Sequence, residues 1–306
     1  MSQTDKKKGQ VETTGHVWDG DIREYNNPLP RWWLWAFYVT IVFSVVYWIL
    51  YPAWPYGLTH TKGISTVEYN VEGEGGEQEV KTVPWSSRAL LTKNMQSSPS
   101  ALAQQEWVGR VKDMSFEDIE QDPDTLQFAM SVGHGMFGDY CAACHGAGGQ
   151  GKIGLFPNLA DNAWLWGNSY ETIVDKIENG IKGMMPPQNV AADQIEDLAK
   201  YTLSLSGNVD ISGEAASRGQ QAFATCAACH GQEGKGIEAM GAPDLTDAIW
   251  EVADIPGCGG DTTCMVGEIT DVVNNGIQRD MPAFGERLSE TQIRMLAIYV
   301  RQLGGN

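Results

Sequence analysis

The six residues CAACHG stand at 141–146 and again, letter for letter, at 226–231. Two cysteines three apart on a helical turn share a face, and in both copies a histidine follows at once. Cys-x-x-Cys-His is the attachment pattern of a c-type haem. Cys141 with Cys144, and Cys226 with Cys229, would each take the two vinyl groups of one porphyrin, leaving His145 or His230 to face the iron. An iron that only carries electrons needs a sixth ligand, and a methionine thioether in that place raises its reduction potential. Each copy is followed by one methionine directly before a proline, Met185 and Met281. The proline fixes the backbone behind the ligand and removes an N–H that would need a partner.

Two covalently bound haem c groups are therefore expected, with axial pairs His145/Met185 and His230/Met281 if each repeat serves its own iron. Two domains of near-equal fold could also exchange their methionine segments, and the sequence leaves that open. Met184 competes with Met185, and Met240 is a second thioether within reach of the later site. A zinc site would need two more ligands of similar kind in each repeat, which are lacking, and a thioredoxin-like pair would not explain two histidines and two Met-Pro steps. Pro157 and Pro243 are expected on the histidine side of each haem, where a nearby carbonyl would take the imidazole N–H. Trp164, Trp166 and Trp250 read as pocket walls, while Lys182 and Arg279 read first as solvated and second as partners of haem propionates. Neither site leaves a position open for substrate, so no catalytic residue is assigned.

The motifs sit in a longer duplication, the strongest organising signal in the chain. Gly133-x-x-x-Phe137 matches Gly219-x-x-x-Phe223, Pro157-Asn-Leu matches Pro243-Asp-Leu, and Trp164 matches Trp250. Asn179-Gly-Ile matches Asn275-Gly-Ile, and Leu198-Ala-x-Tyr201 matches Leu296-Ala-x-Tyr299. The division expected is 131–207 for the first domain and 213–306 for the second, with about ten extra residues between Trp250 and Asn275. Apolar periodicity predicts helices over 126–140, 193–205, 213–225 and 291–303. The remaining cysteines, Cys258 and Cys264, lie in the insertion; an even pair at short spacing outside the cytoplasm is most simply a disulfide.

Ahead of the repeats, residues 32–51 (WWLWAFYVTIVFSVVYWILY) carry no charge. Twenty helical residues span about 30 Å, the hydrocarbon thickness of a bilayer, and tryptophan and tyrosine crowd both ends as in an interfacial belt. The run is too long for a signal-peptide core and is followed by Pro52 and Pro55 rather than a cleavage site. Five Lys/Arg precede it and only Lys62 follows closely. Residues 1–31 are thus expected in the cytoplasm and the haem domains in the periplasm of a bacterial inner membrane. Residues 52–130 read as a linker with short helices, opened at Ser98-Pro99 and Asp122-Pro123, and a small hairpin in which EGEGG interrupts two alternating runs.

The formal net charge is −18, and all of it arises beyond residue 31, because five basic side chains before that point match five acidic ones. Such a surface repels nucleic acid and attracts basic proteins. Fold class is expected to be mainly α: a single membrane helix, then two tandem helical domains of the class I cytochrome c kind.

The segment WDGDIREYNNPLPRWWLW (18–35) and the run CAACHGAGGQGKIGLFPNLADNAWLWG (141–167) resemble the CcoP/FixP family of cbb3-type cytochrome c oxidase subunits. The resemblance covers 16–56 and 131–304; the hairpin region and the Cys258/Cys264 insertion depart from it. It implies a respiratory electron-transfer chain that takes electrons from a donor cytochrome or the bc complex. They would pass through a monohaem cytochrome subunit to a catalytic haem-copper subunit that reduces O2. The competing readings are a free-standing anchored cytochrome or the cytochrome subunit of a dehydrogenase, a di-haem peroxidase, and a partial role in assembly through the anchor.

Overall fold

The computed structural model describes residues 12–72 and 77–304. The lysines at 6–8 and most of the EGEGG break lie outside the described residues. Two compact units divide at Ala103/Gln104.

The first unit opens on a hairpin of β1 (Thr13–Trp18) and β2 (Ile22–Tyr25), followed by α1 (Arg31–Leu50). Not one residue of α1 is buried. Apart from Arg31, Thr40 and Ser44 the side chains of α1 are apolar and face outward all round, so the helix lacks the polar face that a water-facing helix needs; the composition suits lipid. The helix stops where Tyr51 turns extended and Pro52 follows. Its last carbonyls are not left open: Ile49 and Leu50 accept the N–H groups of Ile64 and Ser65 at 3.1 and 2.9 Å. Between them lies a short ribbon of β3 (Pro55–Tyr56) and β4 (Thr59–His60), whose neighbour Trp54 packs edge-on against Trp48 at 4.6 Å. Next, β5 (Thr66–Glu72) pairs antiparallel with β6 (Gln78–Pro84), placing Val67 opposite Val83, and α2 (Ser87–Ser97) lies on β5. The side chain of Gln96 holds both the N–H and the C=O of Asn70.

The second unit holds the repeats. Helix α3 (Pro99–Asp113) leads into it, followed by α4 (Phe116–Gln121) and α5 (Pro123–Tyr140). Ser98 caps α3 by accepting the Ala101 N–H, and Pro123 occupies the first turn of α5. The first CAACH forms α6 (Ala142–His145), followed by α7 (Tyr170–Asn179), β7 (Ile181–Met185) and α8 (Ile195–Leu205). The second repeat gives α9 (Gly213–Phe223), α10 (Ala227–His230), α11 (Thr262–Asn275), β8 (Ile277–Met281) and α12 (Glu290–Leu303).

The packing does not follow the sequence division at 131–207 and 213–306. Helix α12, the end of the second repeat, packs on α5 and α7 of the first; α8, the end of the first repeat, packs on α9 and α11 of the second. The cause is visible at two equivalent glycines. A Cβ on Gly133 would stand 2.7 Å from the Met295 carbonyl oxygen, and one on Gly219 would stand 2.5 Å from that of Asp197. Each glycine lets its helix lie directly on the backbone of a terminal helix, and that helix belongs to the other repeat. Phe137 then meets Tyr299 with ring centroids 5.3 Å apart, and Phe223 meets Tyr201 at 5.5 Å.

Two apolar cores result. One gathers Phe137, Tyr170, Ile173 and Ile177 with Phe284, Leu288 and the buried face of α12. The other gathers Leu198, Ala199 and Leu203 with Phe223, Met265, Ile269 and Val273. The chain crosses between them through β7 and β8, which form one antiparallel ribbon with Ile181 opposite Met281, Gly183 opposite Arg279 and Met185 opposite Ile277. Gly183 and Arg279 are also equivalent positions of the duplication. A pseudo-twofold axis therefore passes through that central pair.

Candidate haem sites

The first CAACH follows α5 after a turn at Cys141, and the second follows α9 after a turn at 224–226. The N–H groups of His145 and His230 bond to the carbonyls of Cys141 and Cys226, both at 2.9 Å, so each motif is one helical turn with its cysteines on one side. Cys144 and Cys229 are exposed, Cys141 and Cys226 half-buried, and all four thiols are free of disulfides. Burial pushes the Cys141 thiol up to about 11, with the neighbouring Cys144 adding to it.

The histidines are fixed from behind. Nδ1 of His145 donates to the Pro157 carbonyl at 3.1 Å, and Nδ1 of His230 to the Pro243 carbonyl at 3.2 Å. With Nδ1–H engaged, Nε2 presents its lone pair to a metal, and the carbonyl makes the ring a better donor. Burial lowers the pKa of both rings, the carbonyl contact working against it. Neutral imidazole, the form that binds iron, is thereby favoured.

The methionines arrive crosswise. Met281 packs into the core that contains Cys141 and Ala142, and Met185 into the core that contains Cys226. Of the competing thioethers, Met184 is 75 % exposed and Met240 53 % exposed. Along the ribbon Met185 and Met281 alternate inward with Gly183 and Arg279 while Met184 faces solvent. The pairing His145/Met185 and His230/Met281 is thus not the one the packing brings together. The physical reason is the exchange of α8 and α12, each of which carries the preceding methionine strand along with it.

Whether the walls fit a haem can be tested on the tryptophans. Trp164 and Trp250 are equivalent in the duplication, and the indole N–H of each is buried without an acceptor. A buried donor left unpaired in this way costs about 1–3 kcal/mol, and finding it twice at equivalent places points to an acceptor supplied by a bound group. A haem propionate is such an acceptor, so the residues present fit the group. Trp166 differs: the Lys176 ammonium lies 4.8 Å from its ring centre. Lys182 is exposed on the ribbon's outer face. Arg279, expected to be solvated, is half-buried and donates to the Glu251 carbonyl at 3.2 Å.

Cys258 and Cys264 are joined by a disulfide, six positions apart, closing the insertion at the start of α11. Among the described residues, no cluster of three His, Cys, Asp or Glu side chains could hold a further metal ion.

One buried feature carried no sequence signal. Glu251, immediately after Trp250, has both carboxylate oxygens buried without a hydrogen bond. The only hint was that the first repeat has Leu165 at the equivalent place.

Residues 10–57 match the family described as the N-terminal domain of cytochrome oxidase-cbb3, FixP. Residues 129–201 and 214–300 match the family described as cytochrome c oxidase, cbb3-type, subunit III. The chain is 39 % identical over 308 residues to the cbb3-type cytochrome c oxidase subunit FixP of Azorhizobium caulinodans, covering 97 % of this chain and 94 % of that one. It is 39 % identical over 326 residues to subunit CcoP of Azospirillum brasilense, covering 100 % and 99 %. Identity to subunit CcoP of Cereibacter sphaeroides is 37 % over 321 residues, covering 100 % and 99 %.

Proposed function

Because the chain belongs to the CcoP/FixP family of cbb3-type cytochrome c oxidase subunits, we propose that it is the two-haem electron entry arm of such an oxidase. It is a membrane-anchored cytochrome c subunit of the cbb3 oxidase, held by α1. The finer reading is ours: two haem c groups per chain, one on Cys141, Cys144 and His145 with Met281, the other on Cys226, Cys229 and His230 with Met185.

When bound, each haem supplies a one-electron couple. The protein does the rest. His145 and His230, fixed by their Pro157 and Pro243 contacts, would each offer Nε2 to an iron. Met281 and Met185 would each supply the second protein ligand to an iron, and O2 reduction is assigned to a haem-copper subunit reached through a monohaem cytochrome partner. The ribbon ties both ligand methionines into one ladder, which keeps the two sites at a constant spacing. The observation that carries this reading is the doubled unit of CAACH, engaged histidine, inward methionine and orphaned indole.

The N-terminus is read as cytoplasmic and the haem cores as periplasmic, from the basic residues before α1. The acidic exterior suits a basic donor or the bc complex, and does not suit nucleic acid. Purification from membranes tests the reading: two c haems per chain and co-purifying oxidase subunits are expected. One haem, or a chain that purifies alone, would contradict it.

A further inference from the structure

The ribbon and the tryptophan walls follow the duplication, so the places where they break it are informative. At the axis of the β7–β8 ribbon, Gly183 stands opposite Arg279, and after the paired tryptophans Leu165 is replaced by Glu251. Both departures meet at one place. Nη2 of Arg279 reaches the Glu251 carbonyl at 3.2 Å, and the Gly154 N–H, from the first repeat, reaches the same carbonyl at 2.9 Å. Glu251 thus lies on the seam. It adjoins Trp250, in the wall of the Cys226 core, and is bonded to Arg279, two residues before Met281 of the Cys141 core.

The surroundings of its carboxyl are lopsided. Asp161 and Asp247, equivalent in the duplication, both face it with repelling charge, while Arg279 attracts and the Asn158 amide faces it without closing a hydrogen bond. The two aspartates are already occupied alike: each accepts the N–H two residues on, Ala163 and Ile249, at 3.0 Å. Glu251 has no such duty. A buried carboxylate with no hydrogen bond is expensive to keep charged, and an electron arriving nearby adds a further negative charge in a medium that screens poorly.

We propose that Glu251 is a proton-binding site of the electron relay, taking a proton from solvent as an electron enters either iron and returning it as the electron leaves. This rests on the two-haem reading above. The balance is simple: ferric iron, one electron from the donor, the Glu251 carboxylate and one solvent proton give ferrous iron and the carboxylic acid. Burial, and after it Asp161, already pushes the Glu251 carboxyl up to about 7, so little additional charge is needed to complete protonation near neutral pH. Arg279 works in the opposite sense, favouring the carboxylate, and so sets where the coupling begins.

Spectroelectrochemical titration of the purified full chain from mildly acidic to alkaline pH tests this. Below about pH 7 Glu251 is protonated in both redox states, and the midpoints are flat. Above it, at least one midpoint falls with rising pH, by at most tenfold in the reduction equilibrium per pH unit, about 59 mV. Glu251→Gln removes the slope and holds that midpoint at its acid plateau. Arg279→Gln moves the onset of the slope to higher pH, and it decides the matter if the first variant loses its haem. A slope unchanged in Glu251→Gln, an onset unmoved in Arg279→Gln, or a flat wild-type profile would overturn the proposal. A chain without two low-spin c haems would instead fail at the haem count, and that failure belongs to the two-haem reading.

Discussion

The core around Cys141 and the core around Cys226 are built from the same parts, yet they differ in how they are closed. In the first, α5 lies on α12 and the chain needs no covalent brace. In the second, α9 lies on α8, and the approach to α11 carries an insertion closed by Cys258–Cys264. Glu251 and Arg279 likewise have no counterparts in the first repeat, where Leu165 and Gly183 stand. The two proposed haem sites share the CAACH turn, a carbonyl behind the histidine, a tryptophan donor and a methionine strand. The unshared features are where the two sites can acquire different potentials.

The largest effect is expected from the cysteines. Replacing Cys141 and Cys144 with Ala should remove one covalent haem per chain, and replacing Cys226 and Cys229 should remove the other, both counted by haem absorbance and intact mass. Next come the methionines. Met281→Leu should lower the potential and alter the spin state of the haem on Cys141/Cys144, because a thioether ligand raises the potential. Met185→Leu should do the same to the haem on Cys226/Cys229. Spectra that assign these changes the other way round would break the crossed pairing.

Smaller effects concern stability. Gly133→Ala and Gly219→Ala each push a methyl group into the backbone of an opposing helix, and overpacking of that kind costs about 1–3 kcal/mol. Thermal unfolding should show both losses, and Gly133→Ala should loosen α12 specifically, seen as faster amide exchange there. Removing the disulfide by Cys258→Ser with Cys264→Ser should cost about 2 kcal/mol, the loop-closure value for so short a loop. That loss should be confined to the second core; equal loosening of both cores would mean that they unfold as one.

The residues of the proposed sites were readable in the sequence because the attachment pattern of a c haem is local. Both CAACH turns, the methionine–proline steps and the carbonyl partners of the histidines could be read from 141–145, 226–230 and their repeats. The helices were legible for the same local reason: their apolar stripes placed α8 and α12 within a few residues of their observed bounds. The packing of those helices was not legible. Tyr201 and Tyr299 are equivalent, as are Gly133 and Gly219, so either glycine fits either terminal helix, and periodicity cannot say which pairs form. The β7–β8 ribbon was missed because each strand is only five residues long and its partner lies in the other repeat. Glu251 was missed because burial without a partner has no sequence signature.

The exchange is therefore the central claim, and the most direct measurement is an experimentally determined structure of the assembled oxidase, with the chain traced from Met185 to α8 and from Met281 to α12. The account expects the iron held by Cys141, Cys144 and His145 to carry the Met281 sulfur as its sixth ligand, and the iron held by Cys226, Cys229 and His230 to carry that of Met185. Met185 on the His145 iron, with α8 packed on α5, would contradict it.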